Sequence, residues 1–304
     1  MTGVGAPEAA GALRPLDGGF SGETFLADSG GERSVVRVYG RRGATRGPQA
    51  PEVDAAVLRL VRGLLPVPEV LEVRRPHPAA GTPGVLVTSF LPGTRFDLLL
   101  PGLDDRARRT TGLALGDLLG RLAMMPMPRR GVFADGDLRI EPLAFPDLPS
   151  AVAGRVAGTA LEGWRPADAE GLLALAEHAQ DRLDRVTRTC LVHSDANPKN
   201  VLVDRATLAV TGLLDWEFAH AGVPGTDLGN LLRFERDEVF SCAVLDGYRG
   251  RVVDAEEDLI GLARAADLAA LVDLAARRGE NPVTEAAHHL LLAMVRAGDL
   301  EATG

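Results

Sequence analysis

The sequence is poor in cysteine, in long apolar runs and in basic relative to acidic residues, and each shortage argues against a class of protein. Two cysteines, Cys190 and Cys242, cannot form a disulfide framework, and their apolar surroundings are typical of buried thiols in a reducing compartment. No apolar run reaches the ~18 residues of a transmembrane helix, so we expect no membrane span. The excess of 42 acidic over 33 basic residues gives a net charge of −9, which argues against nucleic acid as the main partner.

What remains is the composition of an ordinary globular protein. The 304 residues are 46% hydrophobic and 25% charged, enough to bury a large core in one domain or two lobes. The segment from Met1 to Arg14 is small and polar and lacks the basic start and apolar core of a secretory signal, so we expect the protein to be cytoplasmic. Residues 1–11 are expected to be disordered.

A polar loop between two short apolar runs is the most informative stretch of the chain. Leu191 and Val192 precede the loop and residues 201–203 follow it, and short apolar runs bounded by turn residues predict buried strands. A third run, residues 210–214, leads to the acidic segment Asp215-Trp216-Glu217. The pattern therefore predicts that polar side chains from two strand ends lie close together.

These polar residues suit phosphoryl transfer, a reaction that needs positioning more than covalent chemistry. A carboxylate must orient or deprotonate a hydroxyl group, and oxygen ligands must hold Mg²⁺ against the phosphates. Asp195 offers the carboxylate, while Asn200 and Asp215 offer ligand oxygens, in the order of the H-x-D-x-x-x-x-N and D-x-x signatures of protein kinases. The alternative is that these Asp and Asn residues only form turns.

His193-Ser194-Asp195 with Asn200, followed by Asp215-Trp216-Glu217, resembles the aminoglycoside phosphotransferase family, which includes choline-kinase-like enzymes. The resemblance extends from about Leu16 to about Phe234. It implies an ATP-dependent kinase of small-molecule hydroxyl groups, with Asp195 as the catalytic residue and Asn200 and Asp215 as Mg²⁺ ligands. It also implies that His193 braces the loop and that Asp227 supports it, while Glu217 either adds a metal or water contact or has no such role.

The resemblance further implies where the nucleotide binds. Three glycines in the segment 18–22 let backbone N–H groups approach a polyanion, and the family's phosphate loop would then include Gly19, Ser21 and Gly22. Kinase-like folds carry a strand lysine that pairs with a helix glutamate, and this chain has Arg37 in its place and Glu52 as the expected partner.

Two further contacts complete the predicted nucleotide site. The family's adenine-reading backbone would correspond to Ser89 and Leu91, at the end of a predicted buried strand. Lys199, the only lysine of the sequence, either binds phosphate as a point charge or is a solvated surface residue. Asn197 occupies the position where protein kinases carry a lysine and many family members a histidine, which affects the expected contact with the γ-phosphate.

We expect an α+β fold of the protein-kinase type, with a small antiparallel β lobe over residues 12–91 and a larger helical lobe over residues 92–304. Residues 129–149 are expected to be irregular and to shape a substrate site. Strands are predicted at 13–17, 24–28, 34–39, 66–73 and 84–91, and helices from residue 52 and at 104–125, 168–186, 225–234, 237–248, 256–277 and 284–295.

The predicted function is Mg²⁺·ATP-dependent O-phosphorylation of a small molecule, with GTP as an alternative donor. The composition, with arginine in place of lysine and abundant alanine, glycine and leucine, is typical of a high-G+C bacterial genome. This character and the resemblance favour an antibiotic as the acceptor, and a sugar, amino alcohol or amino acid is the alternative. A non-catalytic nucleotide-binding regulator is a second class that the sequence leaves open. We expect no nucleic-acid or membrane partner, and a monomer or homodimer.

Overall fold

The computed structural model describes residues 13–16, 24–40 and 46–303. Its chain divides into two compact units: one runs to Gly93 and includes Ala134–Arg139, and the other contains Thr94–Phe133 and Ile140–Gly304. The first unit is therefore discontinuous in sequence, whereas the prediction has two continuous lobes.

The first unit contains a five-stranded antiparallel sheet in its described part, with strand order β1-β2-β3-β5-β4. These strands are β1 (Arg14–Pro15), β2 (Thr24–Ser29), β3 (Glu32–Tyr39), β4 (Val70–Arg74) and β5 (Gly84–Ser89). Strand β3 carries Val35, Val36 and Val38, β-branched residues that favour strands, and it lies between β2 and β5, where both of its edges are paired.

Helix α1 (Ala50–Val61) belongs to the same unit and has Pro51 in its first turn, where a proline is tolerated because its missing N–H would have no partner within the helix. Its apolar residues recur at helical spacing, and Val57 and Val61 are fully buried. Tyr39 at the end of β3 donates a hydrogen bond of 2.6 Å to Asp54 of α1, which also pairs with Arg46. The sheet and helix are thus joined by a buried polar contact as well as by apolar packing.

The second unit is built of helices and two small antiparallel sheets, with strand orders β11-β10-β6 and β8-β7-β12-β9. Its strands are β6 (Thr94–Arg95), β7 (Gly131–Phe133), β8 (Ile140–Glu141), β9 (Cys190–Val192), β10 (Val201–Val203), β11 (Val210–Leu213) and β12 (His220–Gly222). Its helices are α2 (Phe96–Leu99), α3 (Asp105–Ala123), α4 (Leu148–Ala153), α5 (Pro166–Asp184), α6 (Thr226–Leu232), α7 (Glu238–Arg251), α8 (Leu259–Ala276) and α9 (Pro282–Ala297).

Two helical contacts dominate the second unit. Helices α4, α5, α8 and α9 enclose one apolar core. Helices α3 and α7 pack closely because glycines face the partner backbone: a Cβ atom at Gly116 would lie 2.0 Å from the Val244 carbonyl oxygen.

Within the residues described, no helix is long and apolar enough to cross a membrane.

The predicted strands of the first unit and the long helices of the second are confirmed to within a few residues. The expectation that residues 129–149 are irregular holds for most of this segment, but it misses the hairpin of β7 and β8 and the start of α4 at Leu148. These strands are three and two residues long, too short to show an alternating pattern.

Candidate active site

The loop that carries Asp195 is fixed at both ends by buried strands. The three residues of β9 are at most 1% exposed, and those of β10 at most 7%. Between them, Ser194 adopts a left-handed backbone conformation with φ 63°, which turns the chain sharply after His193. Anchored ends and a fixed turn give Asp195 a defined position.

A buried carboxylate holds the turn from the side of α6. Asp227, in the first turn of that helix, accepts hydrogen bonds from the backbone N–H groups of His193 (3.0 Å) and Ser194 (2.7 Å). Burial raises the pKa of Asp227 to about 6, while these two N–H groups lower it. The structure thus places Asp227 against the catalytic loop, as the sequence predicts.

His193 is fully buried and neutral. Its Nε2–H donates to the Leu214 carbonyl oxygen at 2.9 Å, and its Nδ1 accepts from the Asp195 backbone N–H at 3.2 Å, so both ring nitrogens are used in the neutral tautomer. Burial lowers the pKa of His193 to about 4. The ring also meets Trp216 at 4.6 Å between centroids. His193 therefore links the two polar segments as a structural element.

The Asp195 carboxylate is oriented by two amides. Its Oδ2 accepts from the Asn200 side-chain amide at 2.7 Å, and its Oδ1 accepts from that of Asn197 at 2.5 Å. Burial raises the pKa of Asp195, while the Lys199 cation lowers it and the Asp215 carboxylate raises it. A carboxylate held on both oxygens, with its pKa moved upward, is suited to orient a hydroxyl group and accept its proton.

Asn200 and Asp215 are brought together by the backbone. The Leu214 N–H donates to the Asn200 carbonyl oxygen at 2.8 Å, so Asp215, the next residue, follows directly from a backbone contact with Asn200. Asp215 has φ 64°, a left-handed conformation that is uncommon outside glycine and is found often at functional sites. The Asn200 amide nitrogen is used by Asp195, which leaves its amide oxygen as the atom for a ligand.

This donor set fits a magnesium ion. Carboxylate and amide oxygens are hard ligands, and Mg²⁺ is commonly held by only one or two protein side chains with phosphate and water oxygens completing its shell. Over the described residues, no group of three or more His, Cys, Asp or Glu side chains forms a metal site. In this part of the chain, a magnesium ion at Asn200 and Asp215 would therefore need oxygens from a bound nucleotide and from water.

Lys199 lies beside the carboxylate. Its Nζ is 3.9 Å from Asp195 Oδ2, and its side chain is 40% exposed. The Lys199 cation therefore lies at the protein surface, close to the Asp195 carboxylate. Asn197 caps the short 3₁₀ helix of residues 198–200, and its side-chain amide orients the Asp195 carboxylate.

Among the described residues of the first unit, the predicted pair of Arg37 and Glu52 is not formed. Glu52 makes its ion pair with Arg75, and its Oε2 atom is buried without a hydrogen-bond partner in this part of the chain. Arg37 lies over the Tyr39 ring at 5.5 Å. The expectation failed because the helix glutamate is also within reach of β4 and the residues after it, which the sequence pattern does not show.

The turn at residues 135–137 contributes to the surroundings of Glu52. Gly136 lies against this side chain, since a Cβ atom on Gly136 would be 3.3 Å from the Glu52 Cβ. Together with Gln49, Arg59, Val73 and Arg75, these residues line a cavity of about 670 Å³. Glu52 is thus placed at the wall of a water-accessible space.

Ser89 and Leu91, the two residues predicted to contact adenine, differ in whether their polar atoms already form hydrogen bonds within the protein. The Ser89 N–H donates to the Glu69 carbonyl oxygen at 2.8 Å, and its hydroxyl accepts from the Glu69 N–H at 2.9 Å. Within the described part of the chain, the Leu91 backbone makes no hydrogen bond. Ser89 thus has its N–H and hydroxyl engaged by Glu69, whereas the Leu91 backbone is not engaged by described residues. Gly19, Ser21 and Gly22 lie outside the described residues.

A buried ion pair near the loop was not predicted. Arg233, at the end of α6, donates to both oxygens of Asp267 in α8, at 2.7 and 2.5 Å, and both side chains are under 9% exposed. Burial raises the pKa of Asp195, and the charge of Arg233 is one of the influences that lower it. An arginine directly after the apolar residues Leu231 and Leu232 is the only sign of it in the sequence.

The chain matches known proteins along most of its length. Residues 12–285 match the model of the phosphotransferase enzyme family. Acyl-CoA dehydrogenase family member 10 of Mus musculus is 26% identical over 224 residues, which are 71% of this chain. The match covers 20% of that relative, so the chain spans about a fifth of its length.

Solved structures share the fold. The crystal structure of a putative aminoglycoside phosphotransferase from Ralstonia eutropha JMP134 has a TM-score of 0.67 and 15% identity, with 95% of this chain and 92% of that chain covered. The GDP complex of wild-type aminoglycoside 2'-phosphotransferase-IIIa has a TM-score of 0.67 and 19% identity, with 94% and 92% covered.

A third structure is a ternary complex of a thermostable mutant of aminoglycoside phosphotransferase APH(4)-Ia with AMP-PNP and hygromycin B. It has a TM-score of 0.66 and 19% identity, with 94% of each chain covered. These likenesses confirm the predicted fold class, an α+β fold of the protein-kinase type.

Proposed function

Because the chain belongs to the phosphotransferase enzyme family, we propose that it transfers the γ-phosphoryl group of Mg²⁺·ATP to a hydroxyl group of a small molecule. The observation that carries this proposal is the Asp195 carboxylate, oriented by Asn197 and Asn200 in a loop fixed at both ends. A phosphotransferase needs such a group to aim the attacking oxygen at phosphorus.

In the proposed reaction, Asp195 accepts the proton of the acceptor hydroxyl. The acceptor oxygen forms a bond to the γ-phosphorus as the bond from that phosphorus to the β–γ bridging oxygen breaks, and ADP leaves. Asn200 and Asp215 would hold Mg²⁺, which neutralises charge on the phosphate oxygens. Neutral His193 keeps the segments of Asp195 and Asp215 together through its bonds to Asp195 and Leu214.

The residues proposed to hold the nucleotide are Arg37, Glu52, Leu91 and Lys199, with Ser89 and the segment of Gly19, Ser21 and Gly22 retained from the family resemblance. A guanidinium group on β3 can bind phosphate oxygens through two parallel hydrogen bonds. Glu52 has a buried oxygen without a partner among the described residues. This atom can accept a hydrogen bond from Arg37 if Glu52 turns from Arg75.

For the acceptor, we propose an antibiotic-like compound and keep a sugar, amino alcohol or amino acid as the alternative. The family resemblance supports the first choice, as does one similar structure, which is a complex with hygromycin B. A nucleotide-binding regulator without catalysis is less well supported, because Asp195, Asn200 and Asp215 are all present and adjacent in the second unit.

The test is acceptor-dependent nucleotide turnover with Mg²⁺. ATP and GTP are each combined with aminoglycosides, macrolides, nucleoside and peptide antibiotics, choline, amino acids and sugars, and products are detected by a phosphate-sized gain in acceptor mass. We expect Asp195→Asn to lower the rate about 10²-fold or more, since a positioned base contributes at least this much. Asp181→Asn is the matched control, an exposed carboxylate on α5.

Turnover that survives Asp195→Asn with more than about a tenth of the wild-type rate would contradict the assigned role of Asp195. Clear binding of Mg²⁺·ATP with no acceptor turned over by the wild-type protein would favour the regulator. A hit among sugars or amino acids alone would replace the antibiotic by the metabolic alternative and leave the reaction unchanged.

A further inference from the structure

Helix α6 joins the catalytic loop to helix α8. Every residue of this helix, Thr226–Leu232, is buried, so all of its faces pack against protein. Asp227 in its first turn accepts the backbone N–H groups of His193 and Ser194, the two residues before Asp195. The position of α6 therefore sets the position of the carboxylate to which the turn of the catalytic loop is bonded.

The other end of α6 is bonded to a single carboxylate of α8. Asp267 accepts a hydrogen bond of 2.6 Å from the Asn230 amide and two, of 2.7 and 2.5 Å, from the Arg233 guanidinium. Each of these three residues is at most 6% exposed. Residues three apart on a helix are neighbours, so Asp227, Asn230 and Arg233 follow one stripe of α6. The stripe begins at the catalytic loop and ends at Asp267.

The backbones of α6 and α8 are also in direct contact. A Cβ atom at Gly229 would lie 2.2 Å from the Ala263 carbonyl oxygen and 2.6 Å from the Asp267 Cβ. No side chain at this position separates the two helices. The glycine contact fixes how close the helices lie, and the bonds to Asp267 fix how α6 is turned and shifted against α8.

The chemistry of this contact suits positioning better than it suits stability. Charges taken out of water are costly, and apolar side chains of similar volume often stabilise a protein equally well. Three N–H donors on one buried carboxylate instead favour one arrangement, because any other leaves a buried charge unpaired. The Asn230 side-chain oxygen has no partner among the described residues, so this amide contributes only its bond to Asp267.

We propose that Asp267 is a positioning residue for phosphoryl transfer. It holds α6 through Asn230 and Arg233. The helix in turn presents Asp227 to the catalytic loop, where this carboxylate keeps Asp195 in its reactive geometry. The inference rests on the proposed function and adds to it a residue that acts through α6. A misplacement of about 1 Å at the reacting atoms can cost ~10²-fold in rate, so the rate should respond to Asp267.

The first experiment observes the catalytic loop without catalysis. Labelling with ¹⁵N-histidine gives six backbone N–H signals, one for each histidine, and His193→Gln identifies that of His193. We expect Asp267→Asn to move this signal to higher field, because the hydrogen bond to Asp227 weakens, and to leave the signal of His77 in the first unit in place. An unmoved His193 signal overturns the proposal.

Asp168 provides the matched control. It is a carboxylate on α5, 5% exposed, and it pairs with Arg165 and Arg296, neither of which lies on α6. Asp168→Asn should lower the free energy of unfolding and leave the His193 signal unmoved. If both variants move the signal equally, the effect is a general loosening of the fold and the positioning role is wrong.

The second experiment measures the consequence for the reaction. Turnover of Mg²⁺·ATP is followed with an acceptor found in the panel and with water alone as the acceptor. We expect Asp267→Asn to lower kcat about ten- to hundred-fold and to lower it much more than it raises the KM for ATP. Asn230→Ala removes one hydrogen bond and keeps the ion pair, so it should have a smaller effect of the same kind. It replaces Asp267→Asn in both experiments if that variant does not fold.

The outcomes distinguish this inference from the proposed function. If kcat falls equally in Asp267→Asn and Asp168→Asn, the ion pair acts only on stability, and the inference fails while the phosphotransferase remains. If the His193 signal moves but kcat keeps its wild-type value, the positioning role is overturned. If the wild-type protein turns over neither an acceptor nor water, the proposed function fails, and the His193 signal still decides whether Asp267 holds the catalytic loop.

Discussion

His193 shows how one buried side chain ties together the catalytic loop. Its two ring nitrogens bond to Leu214 and to the Asp195 backbone, and the second bond needs an unprotonated Nδ1. Protonation would break that bond and place a charge in a fully buried site. The geometry of Asp195 is therefore linked to the protonation state of His193.

We predict that His193 makes the protein less stable in acid. Its pKa is about 4 in the folded state and ~6.5 when unfolded, so its contribution is complete above pH ~6.5 and is lost as the pH falls toward 4. The free energy of unfolding falls by ~3 kcal/mol over this range because of His193. In His193→Gln this pH-dependent fall is absent, because glutamine does not titrate. Denaturant unfolding of both proteins across this range gives the difference in the free energy of unfolding.

Comparison with His193→Gln is necessary because Asp227 acts in the opposite direction. Its raised pKa of about 6 adds stability as the pH falls through that value, and both proteins retain this effect. The difference between wild type and His193→Gln should thus change with pH even where the wild-type curve is flat. A difference that is the same at pH ~7 and pH ~4 would show that His193 keeps its ordinary pKa.

Among the secondary-structure elements, α3 and α7 depend on the absence of side chains at their contact. A Cβ atom at Gly247 of α7 would lie 2.2 Å from the Leu113 carbonyl oxygen of α3, a distance that real contacts do not reach. Neither backbone can move without disturbing its own helical hydrogen bonds. This contact therefore permits no residue larger than glycine without a shift of one helix.

Two glycines of α7 provide a matched pair of substitutions. We expect Gly247→Ala to lower the free energy of unfolding by ~2 kcal/mol through overpacking against Leu113. Gly250→Ala should raise it by ~0.5 kcal/mol, because a Cβ atom there meets nothing within 4 Å and alanine favours the helix. Urea denaturation of the two variants measures both changes. Equal effects of the two substitutions would contradict the close contact.

The sequence predicts those elements whose pattern lies within a few consecutive residues. The catalytic loop could be bounded at residues 191 and 203 because its strands and its polar residues are consecutive. The partner of Glu52 could not be predicted, because Arg75 is 23 residues away and its approach depends on where β4 lies. The Arg233–Asp267 pair spans 34 residues and joins two helices whose packing no periodicity specifies.

For the molecule as a whole, we predict that Mg²⁺·ATP stabilises the folded protein. At a free concentration ~100 times the dissociation constant, a ligand that binds only the folded state adds ~2.7 kcal/mol. Differential scanning fluorimetry with ATP, in Mg²⁺ and then in EDTA, measures the effect. Asp215→Asn should lose most of the Mg²⁺-dependent part, and Asp181→Asn should lose none.

The same stabilisation by ATP in Mg²⁺ and in EDTA would contradict the metal role of Asn200 and Asp215.

A cytoplasmic location, the monomeric or homodimeric state and the lobe boundary near residue 91 stay predictions from the sequence. The location and the oligomeric state concern the surroundings of the molecule, and no contact within one chain determines them.

The turn at residues 134–139 belongs to the first unit, although the strands on either side of it belong to the second. A ribosome makes the chain from its amino end, so the first unit still lacks this segment when residue 93 has been translated. It can be completed only after about fifty more residues have been added and the β7–β8 hairpin has emerged. A gene fragment that stops at residue 93 would therefore encode an incomplete unit, and a functional split of this protein has to be placed beyond residue 139.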